Sequence, residues 1–330
     1  KDKALPHVRI VDMREELNSG NKSIFSRSLY NAIDENLKAG KQTILFLNRR
    51  GHSTFVSCRQ CGYVVKCNKC SITMTYHLKD NKLKCHYCGL ATNPPKTCPV
   101  CGSKYIKYFG IGTEKVEEFT KKVFPKAIVK RMDMDTTSRK GSHELILNNM
   151  REEKIDILIG TQMVAKGLDF KNVTLVGIIA ADTSLNLPDF RSPERTFQLI
   201  TQVAGRAGRG DFEGKVIVQT YNPDHYSIQY AKDHDYLSFY NEEILLRKEF
   251  NYPPFINLIS IVAYGEDNEH ISLVAQEVYR LLINTLKGNG LNGLMGNIIG
   301  PFPAPMEKIT NNYRYQIIIK SRDEDLEQLK

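Results

Sequence analysis

The 330-residue chain has no apolar run long enough to cross a bilayer, and no leader of the exported kind. These absences exclude a membrane-spanning helix and remove the usual sign of an oxidising compartment. No GxxxxGK[ST] phosphate loop occurs, and no DExH follows a hydrophobic strand. A nucleoside triphosphate and its Mg²⁺ therefore cannot be held and hydrolysed by this sequence alone. An initiator Met is also missing. The chain opens on KDKALPHVRIVDM and stops at EDLEQLK within a helical pattern, so a piece of a longer protein is expected. Acids are nearly absent from one stretch: between Cys58 and Tyr108, Asp80 stands alone.

What is present sorts into three parts. A length of 330 residues predicts two or three domains, and 41% hydrophobic content supplies an ordinary core. The formal charge is +9, and the stretch from Cys58 to Tyr108 carries nearly all of it, with eight more cations than acids. Concentrated positive charge suits a polyanionic partner, although a basic surface can equally be plain solvated charge.

All eight cysteines fall in the same stretch, as the pairs Cys58/Cys61, Cys67/Cys70, Cys85/Cys88 and Cys98/Cys101. Three of the four pairs have Gly directly after the second Cys, where a tight turn demands a residue tolerant of positive φ. Two such knuckles supply four thiolates to one tetrahedral zinc, so four knuckles predict two zinc ions. A disulfide framework is excluded by the missing leader, and four successive CxxC pairs have no use in redox chemistry. With only thiolates as ligands no open position remains, so the zincs are structural; His52, His77 and His86 are expected to be surface or structural residues. The segment SITMTYHLKDNKLK reads as a hairpin. Closing it pairs Cys67, Cys70, Cys85 and Cys88 on an inner zinc, and leaves Cys58, Cys61, Cys98 and Cys101 for an outer one. Zinc binding leaves the module at about +4 by charge counting. Tyr63, Tyr76, Tyr87, Tyr105 and Tyr108 are interleaved with its cations, for stacking on bases and for filling a small core. Lys79, Lys82 and Lys84 are the candidate phosphate contacts.

Around the module, strands alternate with helices, the pattern of a parallel sheet. Strands are expected at Thr43–Asn48, the lobe's first, and at IVKRMD, DILIGT, NVTLVGIIAAD and KVIVQT. Helices are expected at Glu114–Phe124, with Val116, Phe119 and Val123 on one face, at Ser142–Glu153, and from about Pro193 to Ala207. From Asp224 to Phe250 the chain reads as largely helical. A small β-α-β-β unit follows, with strands at NLISIVAYG and YRYQIIIK. The division expected is 1–57 with 109–222, the insertion 58–108, and 223–330.

Two segments carry chemistry. Ile159–Phe170 (IGTQMVAKGLDF) runs from a buried strand into a loop, and Gln202–Arg209 (QVAGRAGR) closes a helix. Arg206 and Arg209, three residues apart, can point together at a phosphate.

TILFLNRRG, GTQMVAKGLDF and QVAGRAGRG resemble helicase motifs IV, V and VI. Together with the four CxxC pairs and NLPDFRSPERTFQLITQVAGRAGRG, they make essentially the whole chain similar to the C-terminal part of the PriA family, the bacterial replication-restart helicases of superfamily 2. The resemblance implies a RecA-like second motor lobe with an inserted two-zinc module and a small C-terminal α+β domain. It implies Arg206 and Arg209 as arginine fingers, Gln202 near the γ-phosphate, Gly167 and Asp169 on the nucleotide side, and Thr161 along a DNA strand. It also implies an ATP- and Mg²⁺-dependent 3′-to-5′ helicase of the bacterial cytoplasm that binds forked or single-stranded DNA. Restart and single-strand-binding proteins are implied as partners, and no membrane. Two other readings compete: a zinc-dependent nucleic-acid-binding scaffold without motor activity, and a purely structural assembly module.

Overall fold

The computed structural model describes residues 6–47, 55–77, 80–109, 112–133, 136–137, 141–161, 170–208, 213–289 and 297–322. At 107–109 and 305–306 it describes the backbone alone.

Six short strands form one parallel sheet in the order β1-β11-β10-β2-β9-β8. They are β1 (His7–Asp12), β2 (Gln42–Phe46), β8 (Val129–Met132), β9 (Ile157–Gly160), β10 (Val173–Ile178) and β11 (Lys215–Thr220). The central strands are apolar on both faces because both faces are covered. Ile44 and Phe46 point into one core cluster, with α4 (Ser142–Arg151), α6 (Ser192–Ala204) and α7 (Tyr226–Lys232). Leu45 and Leu47 point into the other, with α2 (Arg27–Lys38) and α3 (Thr113–Val123). Val116 is buried on α3, with Phe119 and Val123 packed partly against the same core, the face its spacing predicts.

The structure adjusts three expectations. The lobe's first strand is β1, paired along its length with β11, so the cysteine insertion follows the second strand. The run NVTLVGIIAAD stops being strand at Ile178, and Asp182 opens a short helix, α5 (Asp182–Leu185). The helical stretch after Asp224 is two helices, α7 and α8 (Tyr236–Glu249). His234 adopts a positive φ of 55° between them, and the Asp235 side chain caps α8 through Ser238 N–H. A short helix, α1 (Met13–Asn18), follows β1.

The insertion hangs on a two-stranded antiparallel neck, β3 (Phe55–Cys58) with β7 (Ile106–Phe109). Beyond the neck, β4 (Thr75–His77), β5 (Lys82–Lys84) and β6 (Ala91–Thr92) form a small antiparallel sheet, with β4 and β5 as the two arms of the expected hairpin. At the far end β12 (Asn257–Gly265), β14 (Asn312–Ser321) and β13 (Ile298–Ile309) make an antiparallel sheet. The long α9 (Asn268–Gly288) covers one face of it through Leu286, Val278, Leu282 and Ile283. Among the described residues, no helix is long and apolar enough to cross a membrane.

Candidate functional site

All strands of the large sheet run the same way, so its two edges differ. β2, β9 and β11 finish on the carboxyl edge. Thr161 sits there, half-buried, directly after β9, and the cysteine module, which follows β2, is seated there too. Phe170 is buried at the amino edge, where its carbonyl accepts from Val173 N–H as β10 begins. Residues 162–169, and with them Gly167 and Asp169, lie outside the described residues. Their two flanks are nonetheless on opposite edges, roughly 20 Å apart for strands of this length.

The arginine segment sits on the amino edge. α6 buries Phe197, Ile200, Val203 and Ala204 against the sheet and leaves Gln202 exposed. The helix ends at Ala204, so Arg206 stands in the turn beyond it, half-buried. That turn is fixed by Gly208 N–H donating to the Val173 carbonyl at 3.2 Å. It also lies so close to Gly214 that a Cβ there would come within 2.4 Å of the Ala207 carbonyl carbon. Arg209 lies outside the described residues. Asp182 stands past the carboxyl end of β10, at the start of α5. It is fully buried, and it accepts from Tyr221 N–H (3.0 Å), Thr220 Oγ1 (3.1 Å) and Asn222 Nδ2 (3.1 Å). Burial raises its carboxyl, while these donors pull it the other way.

The four cysteine knuckles are copies of one another. The N–H groups of Gly62, Ser71, Gly89 and Gly102 donate to the carbonyls of Cys58, Cys67, Cys85 and Cys98, each at 2.9 Å. All four turn residues have positive φ, including Ser71 at 55°. The sulfurs of Cys58, Cys61, Cys98 and Cys101 gather in one cluster and those of Cys67, Cys70, Cys85 and Cys88 in another, each within 4.8 Å. A tetrahedral zinc with Zn–S near 2.3 Å requires sulfurs about 3.8 Å apart. The closest pairs here are 3.7 Å (Cys58–Cys101), 3.6 Å (Cys61–Cys98) and 3.5 Å (Cys67–Cys88). The geometry is the nested arrangement expected from the hairpin, and it fits two structural zinc ions.

Of the nearby histidines, His52 lies outside the described residues and the other two are packed into the structure. His77 and His86 are buried and approach Nε2 to Nε2 at 3.2 Å. His86 Nδ1 donates to the Pro303 carbonyl (3.0 Å), and His77 Nδ1 meets Glu307 at 2.5 Å. Both outer partners on β13 are acceptors, so the hairpin is tied to the C-terminal sheet. The hydrogen bond from His77 holds the Glu307 carboxyl below its ordinary range, and burial pushes His86 down to about 4. Of the candidate phosphate contacts, Lys82 is exposed, Lys84 is paired with Asp80, and Lys79 lies outside the described residues. Tyr105 is exposed, whereas Tyr76 is buried in the module's core.

The module is seated closely on the lobe. A Cβ on Gly62 would lie 2.2 Å from the Tyr221 carbonyl oxygen, just past the end of β11. Gly62→Ala therefore meets both a left-handed φ of 78° and a backbone collision. It is expected to destabilise the module's docking by about 2–4 kcal/mol. Hydrogen exchange should show faster exchange across 58–108 while metal content stays unchanged; unaltered protection would contradict the contact.

Three family models match the chain in succession: the PriA DNA helicase Cys-rich region over residues 67–92, the helicase conserved C-terminal domain over 103–211, and the primosomal protein N C-terminal domain over 248–330. Similarity to curated proteins runs through nearly all of it. The chain is 51% identical over 98% of its length to the replication restart protein PriA of Bacillus subtilis. It is 45% identical over 97% of its length to the PriA of Synechocystis. The chain belongs to the PriA family. It spans 39% and 38% of those two relatives' lengths. In PriA-family terms the parallel sheet is the RecA-like second helicase lobe, and the inner tetrad, Cys67, Cys70, Cys85 and Cys88, falls within the Cys-rich region. Sequence reasoning missed the Asp182 hub, and it found Gly62 as a knuckle glycine without its seat on Tyr221.

Proposed function

We propose that this segment is the second motor lobe, zinc module and C-terminal sheet of an ATP-dependent 3′-to-5′ DNA helicase. Its substrate is the stalled or branched replication fork, and it restarts replication by assembling a primosome with restart and single-strand-binding proteins in the bacterial cytoplasm. The division into 1–57 with 109–222, 58–108 and 223–330 belongs to the same proposal. One observation carries it: the single sheet presents the arginine segment on its amino edge and Thr161 with the basic zinc module on its carboxyl edge. Gln202, Arg206 and Arg209, with Gly167 and Asp169, which shortly precede Phe170 in the chain, would meet ATP and Mg²⁺ held by a first lobe. Charge builds on the γ-phosphate oxygens during hydrolysis, and a guanidinium from the facing lobe stabilises it once the cleft closes. Thr161 and the exposed Lys82, with Lys79, would follow the DNA backbone on the other edge. Lys84, held by Asp80, contributes less to phosphate binding.

The test is ATP hydrolysis by the full-length protein that carries this segment, with and without forked DNA. Turnover stimulated manyfold by the fork is expected. Equal turnover in both conditions would reject a DNA motor.

A further inference from the structure

The carboxyl edge holds a column of four side chains drawn from three parts of the chain. Phe190, in the loop between α5 and α6, stacks on Tyr252 with centroids 4.8 Å apart and planes 9° apart. The Arg247 guanidinium of α8 lies 5.2 Å from the Phe190 centroid, and Lys320 Nζ of β14 lies 4.9 Å from the Tyr252 centroid. Stacked rings flanked by cations form a joint in which the buried Tyr252 is held between half-buried neighbours. Tyr252 is 5% exposed, and its hydroxyl donates to the Cys70 carbonyl at 3.0 Å, inside an inner zinc knuckle. Tyr87, between Cys85 and Cys88, meets the same ring edge-on at 6.0 Å. One tyrosine thus touches the lobe, the inner zinc site and the C-terminal sheet.

The column is also fastened to the helix that leads to the arginines. Arg247 pairs with Glu194, in the first turn of α6, at 2.6 Å, and with Glu243 at 2.7 Å. The 13 residues of α6 make a rod about 20 Å long. Glu194 stands at the zinc end of that rod, and Gln202 with the Arg206 turn stands at the other.

Building on the helicase reading above, we infer that Tyr252 is a positioning residue for strand separation: it locks the zinc module and the C-terminal sheet to the zinc end of α6. Closure of the nucleotide cleft moves the arginine end of α6, and the joint delivers that movement to the module that meets DNA. Tyr252 touches neither nucleotide nor DNA. Loosening it uncouples hydrolysis from unwinding and leaves hydrolysis running.

The experiment measures DNA-stimulated ATP turnover and strand separation side by side in the full-length protein, together with zinc content. Tyr252→Ala is expected to lower strands separated per ATP by about tenfold, with turnover within about twofold of the parent and two zincs retained. Tyr252→Phe keeps the stack, loses only the bond to Cys70, and is expected to restore most of the coupling. Lys320→Met removes one outer cation without entering the core, and provides a milder uncoupling should Tyr252→Ala fail to fold. A ratio unchanged in Lys320→Met and in whichever Tyr252 variants fold overturns the inference, as does a parallel fall of both activities. Absence of unwinding by the parent protein would instead overturn the helicase reading itself.

Discussion

Changing Arg206 or Arg209 to Ala in the full-length protein is expected to cut DNA-stimulated ATP hydrolysis by about 10³–10⁵, the range for arginine fingers. Folding and zinc content should stay normal. The size follows from where the charge acts. Negative charge develops on the transferring phosphoryl group only in the transition state, and a preorganised guanidinium in a closed cleft stabilises it without reorganising. Lys in place of Arg should restore little, because the planar fork is lost. A structural role predicts a different outcome, a lower melting temperature with turnover kept. Near-normal turnover in both single variants would reject the motor assignment of this segment.

Removing zinc should have an effect of comparable size on stability. Metal analysis is expected to return two zinc ions per chain, each worth about 10–16 kcal/mol of apparent binding energy. The module's own strands are two to four residues long, too short to hold a fold without the metal. Burial pushes the free Cys61 thiol up to about 12, so loading the outer site must displace its proton at neutral pH. A strong chelator is therefore expected to unfold 58–108 while the six-stranded sheet survives, giving two separate transitions. Cys85→Ser should cost the inner zinc and leave the outer. One zinc per chain, or a single transition insensitive to chelation, would contradict the paired tetrads.

The local patterns were readable wherever one segment decides its own structure. KVIVQT and NLISIVAYG are strands with the bounds their apolar runs suggest. The CxxC spacing around one hairpin determines which sulfurs can meet, so the nested tetrads follow from sequence. What was not readable depends on partners distant in the chain. β1 is a short half-buried strand that gains its place by pairing with β11, more than two hundred residues away. The break between α7 and α8 turns on His234 taking a left-handed φ, which histidine tolerates better than most residues but adopts only in a minority of cases. The column of Arg247, Phe190, Tyr252 and Lys320 joins three separate segments. Its sequence trace is slight: two aromatics within two residues of a proline, in LPDF and NYPPF. Arg206 was expected to close a helix. α6 stops at Ala204 instead, because Gly205 ends it and the chain turns back to pass Gly214.

In the proposed motor, nucleotide on the amino edge and DNA on the carboxyl edge are linked through the one parallel sheet. Linkage is reciprocal, so a nucleotide that closes the cleft must change the affinity for DNA. The most direct measurement is the affinity of the full-length protein for forked DNA, at fixed salt, with and without a non-hydrolysable ATP analogue. A change of about 5–150-fold is expected, the usual span of coupling between sites. Identical affinity in both conditions would contradict it, and would leave a zinc protein that binds DNA without a motor.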